Sequence, residues 1–389
     1  MPRSRALGRC VGTLVAAVLA AVTASVGGAA PSVAQERVST SWEVVPVSGL
    51  RGQTDLTGVV AFGPSDAWAV GSVREGATVR TLTLRWDGTR WRRIPSPNRS
   101  DVQNWLFAVA GSSSRDVWAA GYDVTPDGEH RSLLLHWNGA RWRVVASPNV
   151  DASDTILTGV TALSPTNAWA VGSATAWPFV GQTVVQHWDG ASWSIVPSPN
   201  PSTTGLGSYL LDVAAAGPDD LWAVGDYDKG DGVFQTLTER WDGTAWSVVP
   251  SPTAPEGALL GAVAAGSPDN VWAVGWRQAE TGLQPLAQRW DGTRWSDVAT
   301  PDFDGDTTFA DVVVSGPDDV WAVGGQATST LATHWDGRSW TVTPSANPGT
   351  VSSGLSDVAA IPGTDCLWAV GQSSDGARGQ ALVETYCAD

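Results

Sequence analysis

A tetrapeptide of the form Trp-Ala-x-Gly recurs seven times along the chain, at intervals of 47 to 53 residues. The copies begin at Trp68, Trp118, Trp169, Trp222, Trp272, Trp321 and Trp368. Self-similarity at a period near fifty residues is the signature of a repeat architecture, in which each copy is one supersecondary unit. The fold of the chain therefore depends on what a single unit can form.

The first unit has the pattern of four short strands separated by turns. Residues 56–62 and 67–71 are apolar runs that are too short for a helix. We predict a loop of variable length after the second run. Residues 81–86 then alternate with a period of two, which suits a strand with one buried face. Asp87-Gly88 then favours a tight hairpin into a fourth strand at 91–95. Four antiparallel strands in one repeat indicate a β-propeller blade.

The two ends of the chain complement each other. The last repeat offers three strands, near 355–361, 367–371 and 381–386, and no fourth. Residues 42–46 match the fourth-strand segment at 91–95 and precede the first unit. We therefore predict an all-β fold, a seven-bladed β-propeller with four antiparallel strands per blade. The N-terminal strand should complete the last blade and close the ring, which leaves no open sheet edge.

This arrangement resembles the secreted seven-bladed β-propellers of the kelch, galactose-oxidase and sialidase-like type. The resemblance extends over residues 35–389. It differs from the kelch pattern because a Gly-Gly pair follows the second strand only at Gly324-Gly325, and the adjacent Asp87 and Gly88 lack the spacing of a sialidase Asp-box. The resemblance implies the fold and does not identify a ligand.

Residues 1–34 have the pattern of a signal peptide. Arg3, Arg5 and Arg9 precede an apolar stretch at 11–26, and small residues between Ala30 and Ala34 offer cleavage sites. The apolar stretch is shorter than the ~20 residues of a spanning helix, so we expect no membrane span. We predict a secreted, extracellular protein with one domain at 35–389.

The composition is acidic, with a formal net charge of −16 and a single lysine. Affinity for nucleic acid depends on neutralising phosphates with basic side chains, so nucleic acid is excluded as a partner. A net charge far from zero favours solubility, and we expect a monomer.

Cys366 and Cys387 are the two cysteines that follow the leader. In the predicted topology Cys366 begins the second strand of the last unit and Cys387 ends the third, which makes them neighbours across an antiparallel pair. We predict a disulfide between them, as expected in an oxidising compartment. Two free buried thiols are the alternative.

Function is expected where the repeat varies. The turns between strands one and two and between strands three and four are uniform, whereas the other connections differ in length and composition. Loops that vary on a constant frame commonly carry binding sites. Most aromatic residues belong to the repeat. The candidate ligand-binding residues lie outside it, on the variable face: Trp105, Tyr122, Trp177, Tyr209, Tyr227 and Trp276.

These aromatic residues favour a carbohydrate ligand, because the apolar face of a sugar packs on a flat ring. We expect a non-catalytic protein that binds an extracellular polysaccharide or glycoprotein. A carbohydrate-active hydrolase or lyase that uses carboxylates of the same face is one alternative, and a protein-interaction scaffold is another. The aromatic residues could instead pack loops onto the ring. His136, His187 and His334 occupy repeat positions that carry arginine in other units, so we identify no catalytic residue.

Two acidic segments could bind calcium, because they space oxygen ligands closely around glycines. Both lack the terminal Glu of the twelve-residue calcium loop, and solvated turns are the alternative. We expect no other cofactor. The candidate ligands are Asp226, Asp228 and Asp231 in one segment and Asp302, Asp304 and Asp306 in the other.

Overall fold

The computed structural model describes residues 41–151, 153–176, 180–202 and 205–388. Within these ranges 28 β-strands form six sheets, five of four strands and one of eight. The strand pairs are antiparallel except for one parallel contact within the eight-stranded sheet. The result is an all-β, propeller-like fold. Over the same residues we find no helix of the length and hydrophobicity that a membrane span requires.

The strands of the first unit are longer than the sequence predicts. They are β2 (Gln53–Gly63), β3 (Asp66–Glu75), β4 (Thr78–Trp86) and β5 (Trp91–Arg93). The predicted loop after the second strand is mostly strand, because β3 and β4 stay paired as far as Glu75 and Thr78. Gly76, with a φ of 64°, lies in the turn between them. Pairing along the whole hairpin satisfies backbone groups that a loop would leave to solvent.

The other units repeat this order. The strands of the second and third units are β6 (Gln103–Ser113), β7 (Asp116–Val124), β8 (His130–Trp137), β9 (Trp142–Val145), β10 (Ser153–Ser164), β11 (Asn167–Ala176), β12 (Val180–Trp188) and β13 (Trp193–Val196). Those of the fourth and fifth are β14 (Ser208–Gly217), β15 (Asp220–Asp228), β16 (Phe234–Trp241), β17 (Trp246–Val248), β18 (Ala258–Ser267), β19 (Asn270–Ala279), β20 (Gly282–Trp290) and β21 (Trp295–Val298). Those of the sixth and seventh are β22 (Thr307–Gly316), β23 (Asp319–Gln326), β24 (Ser329–Trp335), β25 (Trp340–Val342), β26 (Ser352–Ala360), β27 (Cys366–Ser374) and β28 (Gly379–Cys387), joined by β1 (Glu43–Val44).

The eight-stranded sheet consists of the first two units. They are linked by one parallel residue pair, Val79 with Gln103. Gly181 and Gly207 make the corresponding contact between the third and fourth units as an isolated bridge. In each unit the first strand packs beside the first strands of neighbouring units, and β26 packs beside β2.

The Gly of Trp-Ala-x-Gly is required by a bulge in the first strand. In the first unit the register shifts between Leu56 and Gly58, which brings the first strand close to Gly71. A Cβ on Gly71 would lie 2.1 Å from the Asp55 carbonyl oxygen. The corresponding glycines of the other six units meet a first-strand carbonyl oxygen at 2.0 to 2.2 Å. Only glycine fits at this position.

Tryptophans of neighbouring units pack together at each junction. Trp68 meets Trp142 of the next unit edge-to-face, at 5.1 Å between ring centroids and 87° between planes. At the junction of the last and first units, Trp368 meets Trp91 in the same way at 5.2 Å and 76°. Aromatic rings prefer this geometry, and each buries ~150 to 250 Å². All the repeat tryptophans are buried except Trp86, Trp188 and Trp241, which are half-buried.

The N-terminal segment and the disulfide both belong to the last unit. β1 pairs antiparallel with β28, with Val44 opposite Glu384. Trp42 packs edge-to-face on Trp321 at 5.9 Å, in the place that fourth-strand tryptophans occupy elsewhere. Cys366 lies directly opposite Cys387 and the two form a disulfide, so this prediction is confirmed.

Candidate functional site

Five of the six predicted ligand-binding aromatics lie in strands, so the expectation that Trp105 and Trp276 stand in connecting loops is wrong. Trp105 is in β6 and Trp276 is in β19. They lie near the sheet edge at which first strands begin and second strands end, which we call the upper edge. Backbone pairing that continues to the turns accounts for this placement. Trp177 lies outside the described residues.

Four of the predicted aromatics lie at one equivalent cross-strand pair of the unit. Directly opposite one another lie Trp105 with Tyr122, Tyr209 with Asp226, and Leu259 with Trp276. The first unit has Asp55 and Ser72 there, and the third has Ile156 and Ser173. Residues in such pairs contact each other directly. The fold therefore gives each unit its own chemistry at the same place.

Trp105 and Tyr122 form one aromatic surface at this edge. Their rings are nearly parallel, at 15° and 6.4 Å between centroids. Tyr122 is 6% exposed, and burial raises its pKa to about 12, whereas Trp105 is half-buried. Arg74 of the neighbouring unit lies over the Trp105 ring at 5.3 Å, and His130 contacts Tyr122 at 5.0 Å. Trp105 thus offers a flat ring among polar groups.

The other predicted aromatics lie on the fourth and fifth units and do not join this pair. Tyr209 packs over Gly181 of the preceding unit, where an added Cβ would lie 2.3 Å from its ring. Its hydroxyl donates a hydrogen bond of 2.7 Å to the Leu206 carbonyl. Tyr227 packs against the apolar interface of the third and fourth units. Trp276 is half-buried. Tyr209 and Tyr227 therefore contribute to packing between units.

In the first candidate calcium segment, two of the three carboxylates accept hydrogen bonds from backbone N–H groups. Asp228 is buried and its carboxylate accepts backbone N–H groups from Leu206, Gly230 and Gly232. Burial opposes ionisation of Asp228, but these donors outweigh it and lower its pKa. Burial raises the pKa of Asp226 to about 7. Asp231 accepts the Val233 N–H at 3.0 Å.

In the second segment, Asp306 accepts the Leu283 N–H at 2.9 Å, while Asp302 and Asp304 are exposed. Across the described ranges no three His, Cys, Asp or Glu side chains are grouped as a metal site would require. Calcium binding stays a prediction.

Three carboxylates that the sequence analysis missed lie in the first strands, directly after the bulge. They are Asp212, Asp311 and Asp357, where other units have Gly or Ala. Burial raises the pKa of all three, and repulsion by neighbouring carboxylates contributes for Asp212 and Asp357. The pKa of Asp212 is raised to about 7 in all. The replacement of Gly or Ala by Asp at this position was the available signal.

Each of these carboxylates is committed to a backbone contact with the next unit. Asp212 accepts the Val263 N–H at 2.9 Å, and Asp311 accepts the Val358 N–H at 2.8 Å. Each carboxylate therefore helps to hold the first strands of two neighbouring units together.

The histidines of the third strands serve the scaffold. His136 stacks on Trp118 at 4.2 Å and its Nε2 lies 2.6 Å from Asp116. Arg85 occupies the same position in the first unit, over Trp68 and paired with Asp66. His and Arg both fit here because each has a flat polar group that can cover a Trp face and reach the acidic residue at the start of the second strand.

The surface has an open groove rather than a deep pocket at the junction of the second and third units. Its volume is about 540 Å³, and it is bordered by His136, Arg143, Trp188 and Ser192. It lies at the outer strands, away from Trp105. Deep concave sites bury most of a small ligand. This groove is shallow, which suits an extended ligand.

No family model matches the chain, and no curated protein sequence matches it either. The fold is similar to that of YCF48 bound to D1 peptide, with a TM-score of 0.55 and 16% identity, covering 90% of this chain and 97% of that one. YCF48 from Cyanidioschyzon merolae gives 0.54 and 17%, covering 89% and 98%. The SapL1 lectin in complex with alpha methyl fucoside gives 0.47 and 13%, covering 77% and 97%. At these identities the first two similarities show the fold alone.

Proposed function

We propose that this chain is a secreted, non-catalytic binding protein that uses the upper edge around Trp105 to hold an extracellular glycan. The observation that carries the proposal is the half-buried Trp105 ring, parallel to Tyr122 and flanked by Arg74. A pyranose can pack its apolar face on such a ring while polar groups take its hydroxyls. Trp105 Nε1 donates to Gln103 at 3.2 Å, which places an amide beside the ring.

We also propose that the fold is a seven-bladed ring closed by the N-terminal strand, of the kelch, galactose-oxidase or sialidase-like type. The pairing of β1 with β28 and the contact of Trp368 with Trp91 support it. The leader at 1–34, export, a monomeric state and calcium binding at the acidic segments remain parts of the proposal.

An extended peptide is the second candidate ligand. YCF48, which has a similar fold, binds a D1 peptide, and shallow upper-edge surfaces would suit an extended chain. Aromatic rings bind peptides as well as sugars, so the two ligand classes must be separated by experiment.

A hydrolase or lyase is less favoured. A glycosidase needs two convergent free carboxyl groups. Asp212, Asp311 and Asp357 lie close enough to repel one another, but each of them accepts a backbone N–H group and so is not free. The exposed Glu75, Glu129 and Glu280 belong to the upper edges of three different units.

The test is retention of the purified protein on a panel of polysaccharides and immobilised peptides, with turnover measured on every ligand retained. We expect the protein to be retained on a polysaccharide without release of product. The Trp105→Ala variant should bind that polysaccharide at least tenfold more weakly than the parent. Peptide retention alone would replace the glycan proposal by the second candidate. Product release, or binding that Trp105→Ala leaves unchanged, would contradict the proposal.

A further inference from the structure

Four third strands carry a long polar side chain at one buried position, directly opposite the Ala of Trp-Ala-x-Gly. These side chains are 0 to 1% exposed. Other units have Leu or Thr at the same place. The four residues are Gln186, Glu239, Gln288 and Glu384.

The two glutamines show what this position does. Gln186 donates a hydrogen bond of 2.9 Å from Nε2 to the Pro148 carbonyl, and Gln288 donates one of 2.8 Å to the Pro252 carbonyl. Each carbonyl belongs to the linker that leaves the preceding unit. The position therefore links neighbouring units through a side-chain donor.

The two glutamates occupy the same position with different chemistry. Both carboxyl oxygens of Glu239 are buried without a hydrogen-bond partner. Glu384 is equally buried, and the backbone N–H of Ala346 is the one group beside it that favours its ionised form. The equivalent linker residues are Pro199, after Ser198, and Ala346, after Ser345. An ionised carboxylate only accepts hydrogen bonds, whereas a protonated carboxyl group has an O–H donor. Only a protonated glutamate can donate a hydrogen bond to a linker carbonyl oxygen from this position.

The surroundings of Glu239 also favour the neutral acid. Val171, Val185 and Trp246 belong to the apolar interface on this side of the sheet. The titratable side chains on the facing elements are His187 of β12 and Tyr227 of β15. Neither affects Glu239, and burial alone raises its pKa to about 8.

Glu384 lies in a corresponding environment at the junction of the sixth and seventh units. The facing titratable groups are His334 of β24 and Tyr386 of β28, both packed on Trp321. Burial raises the pKa of Glu384 to about 7, and the Ala346 backbone opposes this shift.

We infer that Glu239 and Glu384 are protonated hydrogen-bond donors that fasten two junctions between units, and that their ionisation loosens these junctions at alkaline pH. Each carboxyl group has a higher pKa in the folded than in the unfolded chain. Its stabilising contribution is therefore complete below the unfolded pKa and is lost as the pH rises through the folded pKa. Two junctions between units are thus stabilised by contacts whose strength depends on pH.

The test compares melting temperatures from pH 5 to pH 9 for the parent, Glu239→Gln, Glu384→Gln and the double variant. At pH 5 all four should melt within a few degrees of one another. At pH 9 the variants should melt higher than the parent, with the largest difference for the double variant. The raised pKa values of Asp212, Asp226, Asp311 and Asp357 add a background that is common to all four proteins and cancels in the comparison.

Gln186→Glu is the matched reciprocal variant, since it places an acid at the equivalent position. It should acquire a steeper fall in melting temperature between pH 5 and pH 8 than the parent, because stability changes with pH between the unfolded and the folded pKa of such an acid. The carboxylic-acid band in the infrared spectrum at pH 6 should weaken in the double variant. The inference would be overturned if the melting temperatures of the parent and the double variant changed equally with pH. It would also be overturned if Gln186→Glu showed no added pH dependence.

Discussion

The Asp357 carboxylate accepts a hydrogen bond of 2.7 Å from the backbone N–H of Val59, which lies 298 positions earlier in the chain. Asp311 makes the same kind of bond to Val358, between the sixth and seventh units. The contact between the last and first units is therefore built like a contact between consecutive ones. Thr57 and Thr158 link other junctions by donating to the carbonyls of Leu106 and Leu210.

We predict that Asp357→Ala lowers the free energy of unfolding by about 1 to 3 kcal/mol, because the buried Val59 N–H loses its acceptor. Denaturant unfolding at pH 5 measures this, since the raised pKa of Asp357 limits repulsion with Asp311 there. Asp304→Ala, at an exposed position, is the control and should be neutral. Equal stability of both variants would show that the bond does not hold the two units together.

The closing role of the N-terminal strand can be tested by deleting residues 35–47. We expect a sharp fall in melting temperature or aggregation, because the edge of β28 becomes exposed. Trp42→Ala should cost ~3 to 5 kcal/mol by opening a cavity against Trp321. A deletion variant that melts like the parent would contradict ring closure by this strand.

Trp105 and Trp276 should separate binding from stability. Because both are half-buried, each Ala variant should lose less stability than Trp118→Ala, which removes a fully buried ring and should cost ~3 to 5 kcal/mol. Trp105→Ala should weaken ligand retention more than Trp276→Ala, since only Trp105 has the parallel Tyr122 and Arg74 beside it. Thermal melts and retention assays on the same preparations decide this. Unfolding of Trp105→Ala as severe as that of Trp118→Ala would assign Trp105 to the core.

Replacement of Cys366 and Cys387 by Ser should lower stability by ~2 to 4 kcal/mol, because the bridge restricts the unfolded chain. Unfolding of the parent with and without reductant measures the same quantity. A non-reduced digest of exported protein should contain the two peptides linked. Free thiols in native material, or a reductant without effect, would contradict a stabilising bridge.

The sequence predicted the features that repeat. The Trp-Ala-x-Gly spacing indicated units of four strands, and the two cysteines were placed opposite one another correctly. These features depend on local pattern and on strand pairing within one unit, which a single repeat of about fifty residues contains. Strand length was less predictable, since hydrogen bonding continued through polar residues such as Arg74 that were assigned to a loop.

The candidate site depended on contacts between units. Trp105 meets Arg74 of the preceding unit, and Tyr209 covers Gly181 of another, so the surroundings of both rings come from distant segments. The roles of Asp357 and Glu239 could not be predicted from the sequence for the same reason. A carboxyl group's partner and its pKa are set by the neighbouring sheet, which tertiary packing alone brings into contact. The chain's periodicity therefore determined the strands and their order. Packing between sheets decided which side chains form hydrogen bonds between units and left the candidate Trp105 ring half-buried rather than buried.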